Sequence, residues 1–157
     1  MTIRPLRPED REPILRLLRE TEVFSSAELD IACELIDIVT AKHDQHDYII
    51  NVYEDNGQVL GYYCMGPTPG TEGTYDMYWI AVKPERHGRG VGGALDRHAE
   101  DLARSQGGRL IIAETSSRPA YEKTRHFYLR HGYAEVARIR AYYRPDDDLV
   151  VFGKYLS

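Results

Sequence analysis

The segment WIAVKPERHGRGVGGAL, residues 79–95, restricts the folds open to this chain more than any other stretch. It places four glycines within six residues, at positions 88, 90, 92 and 93, between an apolar run and a helical pattern. Glycines leave backbone N–H groups uncovered by side chains, and the first turn of a helix points its positive end at the same place. The sequence therefore predicts a strand, a phosphate-binding loop and a helix in succession.

The rest of the 157-residue chain alternates between strand and helix patterns. Ser25 and Glu28 form a capping box that predicts the start of a second helix, and Asn56-Gly57 predicts a tight hairpin. The helix after the glycines is expected to run from about Val91 to Ser105, and RLIIAET after it to form a strand buried on both faces. The predicted order is β-α-α-β-β-β-α-β-α-β-β, a mixed α/β domain with one parallel βαβ step in its middle.

Three types of phosphate-binding loop compete for the glycine segment. The Walker type is excluded because no Gly-Lys-Ser/Thr sequence follows the glycines. The dinucleotide fingerprint GxGxxG is present as Gly88, Gly90 and Gly93, with Glu114 about 20 residues further on as a ribose-binding acid. That fingerprint needs its first glycine at the strand's end, whereas KPERH separates Val82 from Gly88, and it needs further βαβ units that this chain does not provide.

The third type accounts for the whole segment. AVKPERHGRGVGGAL resembles the coenzyme A loop of the GNAT superfamily of N-acetyltransferases, which reads Gln/Arg-x-x-Gly-x-Gly/Ala after a strand ending in Val-x-Pro. Val82, Pro84, Gly90 and Gly92 match this pattern, and His87 stands at the Gln/Arg position. Because the backbone at this position matters more than the side chain, we expect the departure to leave the site intact.

A second match lies further along the chain. TRHFYLRHGYAEV resembles the GNAT signature Ala-x-x-x-Tyr-x-x-x-Gly-Phe, with Tyr128, Gly132 and Tyr133 in register and Thr124 in place of the alanine. Tyr121 replaces an asparagine that is usual in the family, so contacts to the pantetheine arm are expected to differ there. With two motifs on a matching order of elements over nearly its whole length, the chain is identified as a member of the GNAT superfamily.

This resemblance implies an α/β GNAT fold, with a central mixed sheet of about seven strands, about four flanking helices and a splayed parallel pair at the centre. It implies a single acetyltransferase domain over residues 1–157 that uses acetyl-CoA as co-substrate. The strand WIAV would splay from RLIIAET and expose backbone groups to the pantetheine amides, which pair there like an added strand. The residues implied in cofactor binding are Ile80, Ala81, Val82, His87, Gly88, Arg89, Gly90, Val91, Gly92, Gly93, Tyr121 and Tyr128.

Acetyl transfer to an amine needs a group that takes a proton from the amine, because an alkyl amine with a pKa near 10 is mostly protonated at neutral pH. Asp76 is the first candidate. It lies two, four and six residues before Tyr78, Ile80 and Val82, so regular strand alternation would place all four on one face. Glu114, near the end of the neighbouring strand, is the second candidate, and a water relay is the third.

The departing thiolate should gain a proton, and the resemblance assigns Tyr128 as the acid that supplies it. A tyrosine retained at this position favours an active enzyme that acetylates a primary amine of a small molecule, amino acid or peptide by direct transfer. The alternative is a non-catalytic GNAT module that binds acetyl-CoA as a sensor or structural subunit.

The overall charge and the cysteines limit the partners. A net charge of −5 disfavours nucleic acid and anionic membrane surfaces, and the longest apolar runs, such as LVVF and LIIA, are too short to cross a bilayer. Cys33 and Cys64 stand alone, as is usual in a reducing cytosol, so we expect a cytoplasmic protein. His43 and His46 have the spacing of a metal pair but are interpreted as a solvated helix end, and no metal site is expected. Homodimerisation is left open.

Overall fold

The computed structural model describes residues 1–157 and arranges them as one seven-stranded sheet with helices on both faces. The strands are β1 (Thr2–Pro5), β2 (Ile49–Asp55), β3 (Gln58–Pro67), β4 (Thr74–Val82), β5 (Leu110–Ser116), β6 (Ala134–Arg144) and β7 (Asp147–Tyr155). The helices are α1 (Arg11–Glu20), α2 (Ser26–Ala41), α3 (Val91–Ser105) and α4 (Glu122–Arg130). The spatial order is β1-β2-β3-β4-β5-β7-β6, and only the β4–β5 pair is parallel. The predicted element order and the mixed sheet with one parallel step are therefore confirmed.

Local signals in the sequence set several element boundaries. The Ser25 hydroxyl accepts a hydrogen bond from the Glu28 N–H at 3.2 Å, and the Glu28 carboxylate accepts one from the Ser25 N–H at 3.1 Å. This reciprocal pair is the predicted capping box at the start of α2. Asn56 and Gly57 both have positive φ angles, 50° and 74°, as a two-residue hairpin of type I′ requires between β2 and β3.

Two apolar clusters hold the helices against opposite faces of the sheet. One joins α3 and α4 to the sheet through residues such as Leu95, Tyr128 and Phe152. The other joins α1 and α2 to it through residues such as Leu18 and Ile36. Helices α1 and α2 lie over β2, β3 and β4 and leave the same face of β5 uncovered. The expectation that β5 is buried on both faces is therefore wrong, because this second face opens to solvent.

A β-bulge interrupts β4 at Tyr78. Cys64 on β3 lies opposite Trp79, and the next residue, Met65, lies opposite Met77, so Tyr78 has no partner of its own. An extra residue of this kind bends the strand and moves every later side chain to the other face.

The bulge corrects the expected arrangement of β4. Met77 packs in the cluster under α3 and α4, and after the bulge Ile80 and Val82 pack against that same cluster. Asp76, which alternates with Met77, is therefore on the opposite face from Ile80 and Val82, and the prediction that they share a face is wrong.

The parallel pair at the centre of the sheet is short. Backbone pairing joins Thr74 to Leu110, Tyr75 to Ile111 and Asp76 to Ile112, and it stops there although both strands continue. The two strands therefore part beyond Asp76 and leave a wedge between them, as the resemblance implied. None of the helices has the length and apolar character needed to cross a membrane.

Candidate active site

The glycine loop and the helix that follows it offer a run of free backbone donors. The loop begins with a 3-10 turn over Pro84–Arg86 and ends at Gly90, the residue before α3. The N–H groups of His87 and Arg89 are used inside the loop, on the carbonyls of residues 84 and 86 at 3.2 Å each. Those of residues 88 and 90–93 have no acceptor in the protein, and the first turn of α3 carries no acidic side chain. An anion placed here would find both donors and the positive end of a 15-residue helix.

The glycines of this loop serve different purposes. Gly88 and Gly90 have φ angles of 76° and 84°, and a Cβ atom at either would meet no other atom within 4 Å. They are needed for the left-handed backbone, and they face open space. A Cβ at Gly92 would lie 2.7 Å from the ring of Phe127, so this glycine allows α3 to pack against α4. Gly92 therefore has a packing role in addition to the cofactor contact that the resemblance implies.

His87 makes its contact through its side chain. Its Nε2 atom lies 2.9 Å from the carbonyl oxygen of Val82, and because a carbonyl only accepts, Nε2 is the donor. This bond fixes the end of β4 against the loop. The N–H of His87 is used inside the 3-10 turn, so this residue supports the loop through its side chain as well as its backbone.

A cleft of about 280 Å³ opens where β4 and β5 part. It is lined by Asp76, Met77, Tyr78, Ile112, Glu114 and Tyr143. Both carboxylates suggested by the sequence thus reach one cleft. They share the uncovered sheet face because Asp76 pairs with Ile112, and Glu114 lies two residues beyond Ile112 on the same side of β5.

The two carboxylates are held differently. One oxygen of Asp76 accepts a hydrogen bond from the Thr68 hydroxyl at 2.8 Å, which fixes its orientation. Glu114 is exposed and has neither an ion-pair nor a hydrogen-bond partner for its carboxylate within the chain.

Two tyrosines of the cleft were not singled out as site residues by the sequence. Burial, followed by the negative charge of Asp76, raises the pKa of Tyr78 to about 12. Burial, followed by the charge of Glu114, raises the pKa of Tyr143. Both side chains are therefore neutral hydroxyls at physiological pH. Tyr143 lies ten residues beyond the second motif, in a strand that carries no functional signature, so no sequence signal pointed to it.

Tyr128 lies on α4, on the other side of the sheet. Its ring stacks on Phe152 with 5.5 Å between centroids and meets Tyr133 edge to face at 5.1 Å. Its hydroxyl is not one of the fully buried side-chain polar atoms that lack a hydrogen-bond partner. Burial and the charge of Asp96 hold the pKa of Tyr128 above its ordinary value, so the hydroxyl carries its proton at neutral pH.

Tyr121 is tied to a distant helix. Its hydroxyl donates to the second carboxylate oxygen of Glu28 at 2.8 Å, and the Arg118 guanidinium lies over its ring at 5.3 Å from the centroid. Glu28 therefore serves both the capping box of α2 and the turn before α4. The hydroxyl of Tyr121 is already engaged, which leaves the ring as the part of this residue free for other contacts.

Comparisons with known proteins agree on a family. Residues 11–133 match the profile of the Acetyltransferase (GNAT) family. The uncharacterised N-acetyltransferase YhfO of Bacillus subtilis (strain 168) is 26% identical over 139 residues, 86% of this chain and 91% of that protein. A crystal structure from Desulfovibrio desulfuricans, described as a candidate GNAT-family acetyltransferase, is 38% identical with a TM-score of 0.95 and covers 99% of both chains. An aminoglycoside 6′-N-acetyltransferase complexed with coenzyme A has a TM-score of 0.78 at 18% identity, covers 99% of this chain and 97% of its own, and shows a shared fold.

The loop fits the diphosphate of coenzyme A. The N–H groups of residues 88 and 90–93 are free, and the Cβ positions of Gly88 and Gly90 face open space. The wedge beyond Asp76 leaves one edge of β4 without a pairing strand. These are the two features that a diphosphate and an extended amide chain require. A profile match over 11–133 and a fold shared over nearly the whole chain lead to one assignment: this chain belongs to the GNAT family and is an acetyl-CoA-dependent acetyltransferase.

Proposed function

We propose that this enzyme transfers the acetyl group of acetyl-CoA directly to a primary amine of a small molecule, amino acid or peptide. The observation that carries the proposal is the cleft lined by Asp76 and Glu114 at the point where β4 and β5 part. An amine in this cleft approaches the wedge from one sheet face, while Tyr128 lies on the other. We also propose that residues 1–157 act as a single catalytic domain in the cytoplasm.

The backbone of the loop and of β4 would hold the co-substrate. The N–H groups of residues 88 and 90–93 would bind its diphosphate, and the free edge of β4 around Ile80 would pair with the amides of its arm. Bound acetyl-CoA supplies an acetyl group activated as a thioester. An unpaired N–H near the wedge would stabilise negative charge on the carbonyl oxygen. Tyr121 would contribute its ring.

Asp76 is the proposed base. Its carboxylate is oriented by Thr68 and lies at the last paired position of β4, where the wedge begins. It would accept the proton of the incoming ammonium, directly or through a water molecule. The nitrogen then bonds to the acetyl carbon, and the carbon–sulfur bond breaks. The nitrogen loses its second proton to water, the sulfur takes a proton from Tyr128, and Tyr128 regains a proton from water.

Direct transfer is supported by the state of the cysteines. Cys64 is buried, and burial raises its pKa to about 12, so it remains a thiol at neutral pH. A thiol without thiolate character is a poor nucleophile and would not carry an acetyl group. Cys33 lies on α2 and is not part of the cleft.

A thiol-release assay with a panel of primary amines tests the proposal, read beside calorimetry of acetyl-CoA binding. We expect turnover with at least one amine, and we expect Asp76→Asn to lower kcat by about 10²–10⁴-fold and to flatten the pH dependence of the rate. Asp101→Asn, which removes an exposed carboxylate on α3, is the matched control. Tight binding of acetyl-CoA without turnover on any amine would instead indicate a non-catalytic module.

A further inference from the structure

The cleft between β4 and β5 is lined by acids and aromatic rings and by no cationic side chain. Its six residues contribute two carboxylates, two tyrosine rings and two apolar side chains. Lining residues of this kind suit an organic cation, because carboxylates attract the charge and ring faces attract it further. An anionic acceptor would find no partner here.

The cleft holds one more negative charge than the reaction needs. A single carboxylate suffices to take the proton from the reacting amine, and Asp76 is placed for that role at the wedge. Glu114 is left over, and no arginine or lysine of the chain forms an ion pair with it. A carboxylate without a partner in a concave site is available to an outside cation.

Tyr143 is held toward this spare carboxylate by an irregular stretch of β6. Regular pairing with β7 is interrupted between Ile139 and Arg144, and Ala141 has a φ of 53°. Asp148 stabilises the irregular stretch by accepting a hydrogen bond from the Ala141 N–H at 2.9 Å. A left-handed conformation at a non-glycine residue costs energy, so this stretch persists because the surrounding contacts impose it.

The groups near Tyr143 extend the negative field of the cleft. Burial raises the pKa of Tyr143 most, and the groups that raise it further are Glu114, Tyr142, Asp147 and Glu28, in that order. Of the cations near these groups, Arg118 is paired with Asp147 at 3.2 Å, and Arg144 lies opposite Asp147 in the β6–β7 pairing. Glu114 is the carboxylate of the cleft beside Tyr143 that no cation of the chain pairs with.

The two carboxylates have a defined spacing. Asp76 on β4 pairs with Ile112 on β5, and Glu114 lies two residues beyond Ile112. Glu114 is therefore displaced from Asp76 by one strand spacing across the sheet and by two residues along the strand. Strand geometry places their Cα atoms about 8 Å apart. A ligand that contacts both needs two nitrogens separated by a chain of four or five carbons.

We propose that the acceptor is a small primary amine that carries a second positive charge, with Asp76 receiving the reacting nitrogen and Glu114 and Tyr143 binding the other ammonium group. This rests on the proposed function and adds the substrate class. Because the second nitrogen takes no part in the bond changes, its contacts act on binding and orientation of the acceptor.

The test compares acceptors of matched length by kcat/KM at saturating acetyl-CoA. The probes are 1,5-diaminopentane, pentylamine, 5-aminopentanoate and 1,2-diaminoethane. One partly exposed ion pair with an aromatic contact predicts about a 5- to 30-fold preference for 1,5-diaminopentane over pentylamine, after division by two for its two equivalent amines. 5-Aminopentanoate should be the poorest acceptor of this length, and 1,2-diaminoethane should lose the preference because it cannot reach both carboxylates.

Substitutions at the second site are read by the ratio of the two rates, which a general loss of activity does not change. Glu114→Gln should reduce the ratio of 1,5-diaminopentane to pentylamine to about 1–3, and Tyr143→Leu should reduce it by a smaller factor. Asp101→Asn makes the same charge change far from the cleft and should leave the ratio as it is. The ratio should also fall with added salt, since part of the cleft is open to solvent.

Acetylation rates, read together with calorimetry of amine binding to protein saturated with coenzyme A, distinguish the second-charge proposal from the proposed function. If amines are acetylated but pentylamine equals 1,5-diaminopentane, or 5-aminopentanoate is preferred, the second-charge proposal is wrong and the proposed function stands. If no amine is acetylated while 1,5-diaminopentane binds more tightly than pentylamine, the proposed function is wrong and the cation site stands. A ratio that survives Glu114→Gln would also overturn the assignment of Glu114.

Discussion

Replacing Tyr128 by phenylalanine removes one hydroxyl from the proposed acid and keeps the ring. The ring contacts with Phe152 and Tyr133 supply its packing, and both are retained in the variant. Because the hydroxyl makes no hydrogen bond within the chain that would be broken, we expect the free energy of unfolding to change by less than about 1 kcal/mol.

The rate should fall much further than the stability. Loss of a positioned general acid costs about 10²–10⁴-fold in rate, and we expect the lower end, about 10²-fold or roughly 3 kcal/mol of barrier. The lower end applies because a thiolate is a stable leaving group and water also protonates it. The Kd of acetyl-CoA should stay unchanged, since the donors proposed to bind its phosphates lie in the glycine loop and the first turn of α3, not on α4.

The neighbouring Tyr133 provides the matched control. Its hydroxyl is buried and donates to the carboxylate of Asp96 at 2.9 Å. Tyr133→Phe removes a hydrogen bond to a charged group, worth about 1.5–3 kcal/mol. For a chain of this size 1 kcal/mol corresponds to about 2–4 °C, so its Tm should fall by about 3–12 °C. The two substitutions remove the same atom from adjacent rings and should give opposite results, one in rate and one in stability.

Thiol release with an identified acceptor, calorimetry of acetyl-CoA and thermal unfolding measure the three quantities. Near-full turnover by Tyr128→Phe would refute the reasoning. Tyr128 would then serve packing alone, and the proton would come from water or another tyrosine.

Three further predictions follow from local geometry and charge. Gly90→Ala forces a residue with a Cβ atom into a φ of 84°, which costs about 1–2 kcal/mol. Calorimetry should therefore show a higher Kd for acetyl-CoA. Unchanged binding would exclude the loop as the binding site of acetyl-CoA. Gly92→Ala brings a Cβ to 2.7 Å from Phe127, so its Tm should fall and its near-UV circular dichroism should change even without cofactor. Burial opposes ionisation of Asp10, but the hydrogen bonds from Arg4 outweigh it and hold its pKa below the ordinary value. The stability that ionised Asp10 contributes is therefore present above about pH 4 and lost as the pH falls through the lowered pKa. The free energy of unfolding, measured with urea from pH 7 to 2, should therefore decline less steeply for Asp10→Asn than for the native chain.

Features set by neighbouring residues could be predicted from the sequence. The capping box of Ser25 and Glu28, the hairpin at Asn56-Gly57 and the helix from Val91 to Ser105 all lie where the patterns placed them. Each depends on contacts within a few residues, so the signal and its effect lie together. The resemblance to GNAT enzymes added the wedge between β4 and β5, which no local pattern indicates.

Features that depend on distant partners could not be predicted. The bulge at Tyr78 exists because β3 and β4 pair with unequal spacing, and a single strand carries no sign of it. Because of the bulge, Asp76 and Ile80 lie on opposite faces of β4, although the sequence predicted a shared face. The role of Gly92 depends on Phe127, 35 residues away in the chain, and that of Tyr143 on a strand that reaches the cleft only in the folded sheet.

The short seam between β4 and β5 makes the protein sensitive to its own co-substrate. Three residue pairs join the two halves of the sheet. Beyond them, from Met77 to Val82, the edge of β4 that faces β5 has no strand paired with it. An extended ligand lying there completes the sheet, so amide hydrogens along this edge should exchange rapidly in the free protein and slowly in the complex. A ligand that binds only the folded chain stabilises it in proportion to the logarithm of its concentration. The lifetime of the folded enzyme in a cell would therefore rise and fall with the supply of acetyl-CoA.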